Sequence, residues 1–356
     1  MAKTIIGTLE IDSANEVGQV LTNNGSGVPP TFQTFPQPLN NNLLINGAFS
    51  NNQINSGSPT VVNSGDYFIN KWYGLTQTSF VTFSAQTLQQ DGIATNCRFQ
   101  QSQGAAQMMG MAQIVEARDS RWYRGSQLTL SFQSRCSIPK PLRYAILEWD
   151  GTIDVPPKNL VNDWTSTTYT PGNFFSSSFT VIATGSFNNK TTWNPVTPIT
   201  GVASSSLQNL IVFIWTEVVV DLNYTLDVSN CKLEYGATST DYFNDSSAIL
   251  AEKCARFTKL VSVGASGIAA STTTVAFNTV FNTMAITPTP VLEVSAVNFQ
   301  IPGGISQTSS GSSITSNVLS TRGASIVIDG YIALVPGTSG YSATAGFIRM
   351  NGELGV

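Results

Sequence analysis

The 356-residue chain holds 17 Lys and Arg against 21 Asp and Glu, a net charge of −4, with only 11% charged residues and no histidine. Its sparse, scattered cations exclude the clustered phosphate-neutralising surface of a nucleic-acid binder, and the missing histidine excludes Ser-His-Asp and Cys-His nucleophiles and the commonest zinc ligand. An average soluble protein carries roughly 25% charge; here Ser, Thr, Asn, Gln and Gly take its place, a surface suited to a symmetric assembly whose neutral faces hydrogen-bond to neighbours without burying unpaired charge.

Residues 1–40 read as a separate anchor and connector. Ile5, Ile6, Leu9 and Ile11 form an apolar pattern too short to bury itself, which predicts docking on another chain. The stretch from Asn23 to Pro30 is rich in turn formers. Four prolines between Pro29 and Pro38 bias the residues before them away from helix and favour an extended path. The start, Met1 to Gly7, has no apolar run of signal-peptide length, so Sec export is not expected. Gln208, Asn209, Thr216 and Glu217 interrupt the longest apolar stretch, Leu207 to Val220, so no membrane span is predicted.

Residues 41–258 read as a domain of many short strands. In Gln127 to Cys136, Leu128, Leu130, Phe132 and Cys136 point one way and Thr129, Ser131, Gln133 and Arg135 the other, the period-2 pattern of a half-buried strand. Ser178 to Thr184 and Tyr224 to Val228 alternate similarly, and Leu210 to Trp215 is a continuous apolar run of core-strand length. Turns are expected at Asp91-Gly92, Asp150-Gly151 and Pro171-Gly172-Asn173. Such punctuation implies a sandwich or jelly roll. One helix is predicted, capped by Asp245-Ser246-Ser247 and running from Ala248 to Phe257, with Ile249, Leu250, Cys254 and Phe257 on one broad face.

From Lys259 the composition shifts to Ser, Thr, Gly and Ala with β-branched residues between them, and residues 259–356 read as a second, small β domain. Ser325 to Leu334 predicts strand–turn–strand, Phe347 to Leu354 a last strand, and residues 303–317 a long surface loop. No repeat of solenoid or long β-helix length is visible. The fold class is therefore all-β: a jelly-roll-like β-sandwich followed by a small C-terminal β domain, with an extended N-terminal anchor.

Chemistry is scarce. Cys97, Cys136, Cys231 and Cys254 lie far apart without paired spacing and read as buried, reduced thiols, with no metal site expected. Glycosidases need only two carboxyls, so Glu148 and Asp150 are the nearest pair to consider, with Asp221 and Asp227 as further candidates; all four read as solvated or turn carboxylates. Trp72, Trp149 and Trp215 sit in strand-like sequence and are assigned to the core. Trp164, Tyr169 and Trp193 lie in polar, loop-like sequence and are the candidate exposed rings for a ligand. No cofactor is expected; a structural Ca²⁺ on loop oxygens is compatible with such a jelly roll, although no ligand cluster is legible. The expected protein binds without catalysing.

Several segments resemble the tail-fibre and appendage proteins of tailed bacteriophages. Gly18 to Gln33 is similar to a connector of those proteins, Asn42 to Phe49 to the opening strand of their carbohydrate-binding-like jelly roll, and Asp66 to Tyr73 to the aromatic segment that follows. Ala112 to Glu116 and Gly125 to Phe132 resemble the next core strands, and Cys231 to Thr238 with Cys254 to Phe257 the closing strand and helix. Met284 to Pro290 and Arg349 to Leu354 are similar to the distal β domain. The resemblance implies a homotrimeric virion protein, assembled in the host cytoplasm, that attaches to other virion proteins through residues 1–40 and binds a host-surface glycan. A capsid-decorating or baseplate fibre and a glycan-degrading tailspike are the alternatives it leaves open. Exposed sheet edges with few charges agree with a trimer, because neighbouring subunits cover such edges.

Overall fold

Leu128, Leu130 and Phe132 are buried on one side of their strand while Ser131, Gln133 and Arg135 stay partly open on the other, so the alternation in the sequence is the alternation of a two-layer sandwich. The structure is a computed structural model. It describes residues 19–22, 31–34, 42–52, 54, 59–87 and 94–260, and, further on, the strands named below with adjoining residues up to 354. The chain divides into two compact units, Met1–Asn41 and Asn42–Val356.

In the first unit β1 (Gln19–Thr22) pairs antiparallel with β2 (Thr31–Thr34), setting Leu21 opposite Phe32. In the second unit the sandwich strands follow as β3 (Thr60–Val62), β4 (Tyr67–Ile69), β5 (Trp72–Thr76), β6 (Val81–Gln86), β7 (Asn96–Gln100), β8 (Met109–Ile114), β9 (Gln127–Cys136), β10 (Pro141–Trp149), β11 (Thr180–Asn188), β12 (Asn194–Pro195), β13 (Ile199–Val202), β14 (Asn209–Thr216) and β15 (Thr225–Tyr235). Among the described residues one sheet has the order β11-β10-β14-β8-β5-β4 and the other β12-β9-β15-β7-β6-β3, with β13 also on β9; every pairing is antiparallel. Phe68, Trp72, Phe83, Phe99, Met111, Leu130, Ile146, Ile214 and Leu226 fill the space between the layers.

The expected turn at Asp91-Gly92 lies outside the described residues. Asp150-Gly151 follows β10, and Gly172 turns the chain at φ 78°, a conformation that favours glycine. The helix, α2 in chain order after the short α1 (Ala117–Ser120), spans Ser247–Ala255, and the Ser246 side chain accepts from the Ile249 N–H as its cap. Its buried stripe is narrower than expected: Leu250, Cys254 and Phe257 are buried, whereas Ile249 is 50% exposed. Spacings of four and three residues keep the first three aligned, and Ile249 stands about 100° away around the helix.

Beyond α2, Thr258–Leu260, Ile348–Asn351 and Thr289–Leu292 form a three-stranded sheet, and a second sheet orders Ile305–Thr308, Asn298–Ile301, Ser339–Ser342, Ser266–Ala269, Val275–Val280, Gly323–Ile328 and Ile314–Leu319. Val275, Phe277, Val297, Phe299, Ile326 and Ile328 form its own apolar cluster. The long loop expected over 303–317 is corrected: Ile305–Thr308 and Ile314–Leu319 pair into the sheet, whose ladder satisfies backbone groups that composition alone assigned to solvent. The second strand expected before Leu334 lies mostly outside the described residues. Of its described residues, Tyr331 and Leu334 donate their N–H groups to the Thr273 and Thr272 carbonyls at 3.1 and 2.9 Å.

All four cysteines are free and buried. Trp72 and Trp215 are core, but Trp149 is only half-buried, because it ends β10 and its indole N–H reaches the Thr152 carbonyl. The solvated reading of the carboxylates fails for two of the four. Glu148 is buried and accepts from the Ser204 N–H at 2.9 Å, and Asp227 is buried between two arginines. Asp150 and Asp221 are exposed.

Candidate functional site

The two outer faces of the sandwich differ in chemistry. On the first sheet, Tyr73, Ala112, Ala145, Ile211, Phe213 and Trp215 make the outer face apolar, and the chain covers it with its own 150–179 segment through Leu160, Val161, Phe174, Phe175 and Phe179. Phe213 and Trp215, two residues apart on β14, stack at 4.5 Å and 11°, and Phe174 stacks on Trp215 at 5.0 Å and 18°. Gly110 on β8 leaves the room they need. A Cβ there would stand 2.5 Å from the Ile214 carbonyl oxygen and 2.6 Å from the Trp215 Cβ.

Trp164 and Tyr169 belong to this cover. Trp164 meets Phe174 and Phe213 edge-on at 5.9 and 6.1 Å. Tyr169 leans on Phe174 at 5.1 Å and Trp215 at 6.0 Å, with the Arg143 guanidinium 3.6 Å from its ring centre. Register places Arg143 opposite both Trp215 and Ser186. Arg143 and the Ser186 hydroxyl donate to Glu217 at 2.8 and 2.7 Å, and the Tyr169 hydroxyl reaches the same carboxylate at 3.4 Å. Partial burial works against the Glu217 charge, but the hydrogen bonds from Ser186 and Arg143 outweigh it and hold the carboxyl below its usual value. Both rings are half-buried with neighbours against them, so they seal a sheet face.

Trp193 lies on the other sheet, and the ring expected to be exposed is only 9% so. The residue precedes β12, which pairs with β9, and the Arg135 guanidinium sits 5.1 Å from the indole centre. Arg135 donates to Asp227 at 2.7 Å, and Arg98 grips the same carboxylate at 2.7 and 2.8 Å. The structure therefore does not bring the three sequence-predicted rings together.

An open groove lies at the β4–β5 edge of the first sheet. Asn63 donates through its N–H and its side-chain amide to Asp66, both at 2.9 Å, and closes a turn in which Gly65 has φ 89°. Ser64, Gly65, Asp66, Leu75, Lys158 and Asn159 line a cavity of about 290 Å³. It shares Ser64 with a second cavity of about 480 Å³, lined by Asn63, Thr76, Gln77, Thr78, Ser79 and Phe80. Buried Gln107 holds the second wall from behind: its carbonyl oxygen accepts from the Thr78 N–H and hydroxyl, both at 3.1 Å, and from the Ser79 N–H at 2.9 Å. Gln77 accepts from the Met108 N–H at 2.9 Å, and Lys158 stands 5.7 Å from the Tyr67 ring centre.

The groove thus presents hydroxyls, amides, one ammonium and one carboxylate on a wall fixed from the core. Sequence reasoning missed it because its wall comes from three separate segments of ordinary polar turn residues. The run Thr76-Gln77-Thr78-Ser79 between Leu75 and Phe80 was the available signal. Among the described residues no three His, Cys, Asp or Glu side chains converge to hold a metal ion, and no helix is long and apolar enough to cross a membrane.

No known protein family matches the sequence, and no curated protein does. Solved structures give partial likenesses. A Bacteroides thetaiotaomicron protein described as sugar-binding is 12% identical, covered over 100% of its length by 55% of this chain, at a TM-score of 0.34. The carbohydrate-binding module TmCBM61, solved with β-1,4-galactotriose, is 9% identical over 55% of this chain and 99% of its own, at 0.32. An enzymatically active domain of tailspike protein 4 from bacteriophage CBA120 is 10% identical over 55% of this chain and 21% of its own, at 0.33. At TM-scores of this size the likenesses carry no argument about ligand or activity.

Proposed function

We propose that this protein is a glycan-binding, non-catalytic subunit of a bacteriophage appendage, holding host-surface saccharide in the groove between residues 63–66, 76–80 and 158–159. The observation that carries the reading is the groove's chemistry. Hydroxyl and amide groups match the alternating donors and acceptors of a sugar, and the Gln107 hydrogen bonds fix the wall before any ligand arrives. Glycoside hydrolysis needs two carboxyls across the scissile bond. The groove lining offers one, Asp66, already engaged by Asn63.

The resemblance of Gly18 to Gln33 and of Asn42 to Phe49 to tail-fibre proteins supplies the setting: a trimeric virion protein anchored through residues 1–40. Biolayer interferometry of the full chain against host-surface glycans tests the reading. Wild-type protein is expected to bind, with binding lost in Lys158→Ala without a change in thermal unfolding, and lost in Gln77→Ala, which also gives up the hydrogen bond to the Met108 N–H and is expected to unfold somewhat earlier. Binding that survives both substitutions, or no binding to any host surface fraction, would overturn it.

A further inference from the structure

The sandwich carries a second surface that the groove does not use. After α1 the chain makes a single 3-10 turn, Arg121–Tyr123, which lifts Trp122 into solvent at 85% exposure, the highest of the large apolar side chains among the described residues. The turn is rigidly mounted. The buried Ser120 hydroxyl accepts from the Leu210 N–H at 3.0 Å and reaches the Val115 carbonyl at 3.3 Å. Asp154 accepts from the Ala117 N–H at 2.8 Å, and Arg124 donates to the Leu207 carbonyl at 2.7 Å. Tyr123 packs on the core, 6.2 Å from Tyr235. An exposed indole on an anchored turn is a ready stacking face, because the backbone beneath it is ordered before a ring settles on it.

The charges beside it are unbalanced. Glu116 takes Arg256 at 2.7 Å, and Arg118 divides itself between Glu116 and Asp119 at 3.7 and 3.2 Å. Arg121 and Arg124 have no carboxylate partner among the described residues, and the hydrogen bond of Arg124 goes to a neutral carbonyl. Two guanidinium groups without a carboxylate partner among the described residues thus lie within two residues of the exposed indole in sequence, on a chain whose net charge is −4. Guanidinium is the planar donor suited to carboxylate and phosphate oxygens.

We propose that Arg121, Trp122 and Arg124 form a second ligand site for an acidic saccharide, stacking a sugar ring on the indole and placing its anion on the guanidinium pair. The proposal shares the glycan-binding reading but rests on different residues from the groove.

The test is an array of neutral, uronate-bearing and phosphate-bearing saccharides probed with the full chain and its variants, with assembly mass followed by light scattering. Wild-type protein is expected to retain at least one acidic saccharide more strongly than its neutral counterpart. That signal should fall about tenfold in Trp122→Ala and in Arg121→Gln, weaken with added salt, and persist in the groove variant Gln77→Ala. The uronate and phosphate arms identify the anion. Equal retention of acidic and neutral saccharides, or retention indifferent to Trp122→Ala, would overturn the proposal. So would a change in assembly mass in Trp122→Ala, which would mark the surface as a contact between copies. Loss of neutral-glycan binding in Gln77→Ala with the acidic signal intact separates the two sites. Loss of both in that variant would overturn this proposal and leave the groove.

Discussion

Lys71 and Glu353, 282 residues apart in sequence, meet as an ion pair at 3.4 Å with both side chains 1% exposed. The Lys71 N–H also donates to Glu353 at 3.0 Å, and its ammonium lies 3.5 Å from the Phe257 ring centre. Tyr67 donates to the Leu354 carbonyl beside it. Glu353 and Leu354 therefore close onto the sandwich between β4 and β5, and a buried ion pair marks the join. Glu353→Gln would leave the ammonium buried without its counter-charge. It is expected to destabilise the protein by about 3–5 kcal/mol, measured by chemical denaturation, while Lys71→Met with Glu353→Leu should recover most of the loss. A neutral single substitution would show that the pair does not hold Glu353 and Leu354 to the sandwich.

Glu217 gives a pH signature. Its carboxyl is held below its ordinary value of 4.5 despite partial burial, by hydrogen bonds from Ser186 and Arg143. A depressed folded-state value means the stabilisation is fully present above pH 4.5 and lost as pH falls through the lower folded-state value. Acid unfolding curves of wild type and Glu217→Gln should converge as pH falls below that window and separate above it. Curves that stay parallel throughout would remove Glu217 from the account of how the 150–179 cover is fastened.

Gly110 is a packing prediction. Gly110→Ala places a methyl group 2.5 Å from a backbone oxygen of β14, which cannot swing aside as a side chain would. Overpacking of this kind costs about 1–3 kcal/mol, read as a lower denaturation midpoint, and near-ultraviolet circular dichroism should report a disturbed Trp215 environment. An unchanged midpoint would mean that β8 and β14 are less tightly apposed than described.

The groove wall can be loosened without touching its surface. Gln107 is buried and offers no atom to a ligand, yet it ties down Thr78 and Ser79. Gln107→Leu keeps the volume and removes the hydrogen bonds. It is expected to weaken saccharide binding through a faster off-rate and to cost about 1–3 kcal/mol of stability from the stranded N–H groups. Unaltered binding kinetics would mean that the wall needs no support.

What could be read from the sequence follows which interactions are local. β9 was legible because its alternation records one core face and one polar face. β14 was legible as an apolar run because the core lies on one side of it and the 150–179 cover on the other. That cover was not legible: Phe174, Trp164 and Tyr169 sit among turn residues and acquire their neighbours only when the segment folds onto β10 and β14. Asp227 read as a solvated or turn carboxylate, and only the pairing with β7 and β9 brings Arg98 and Arg135 beside it. Trp122 carried a local signal that went unused, since Arg118, Arg121 and Arg124 crowd seven residues of a chain that is 11% charged.

The central claim is that the protein binds saccharide and does not cleave it. The direct measurement incubates the full chain with host-surface polysaccharide, following retention on the immobilised glycan and release of reducing ends in the same sample. Retention that Gln77→Ala abolishes, with reducing ends at the level of the protein-free control, is the expected result. Reducing ends that accumulate with time and protein concentration would contradict it.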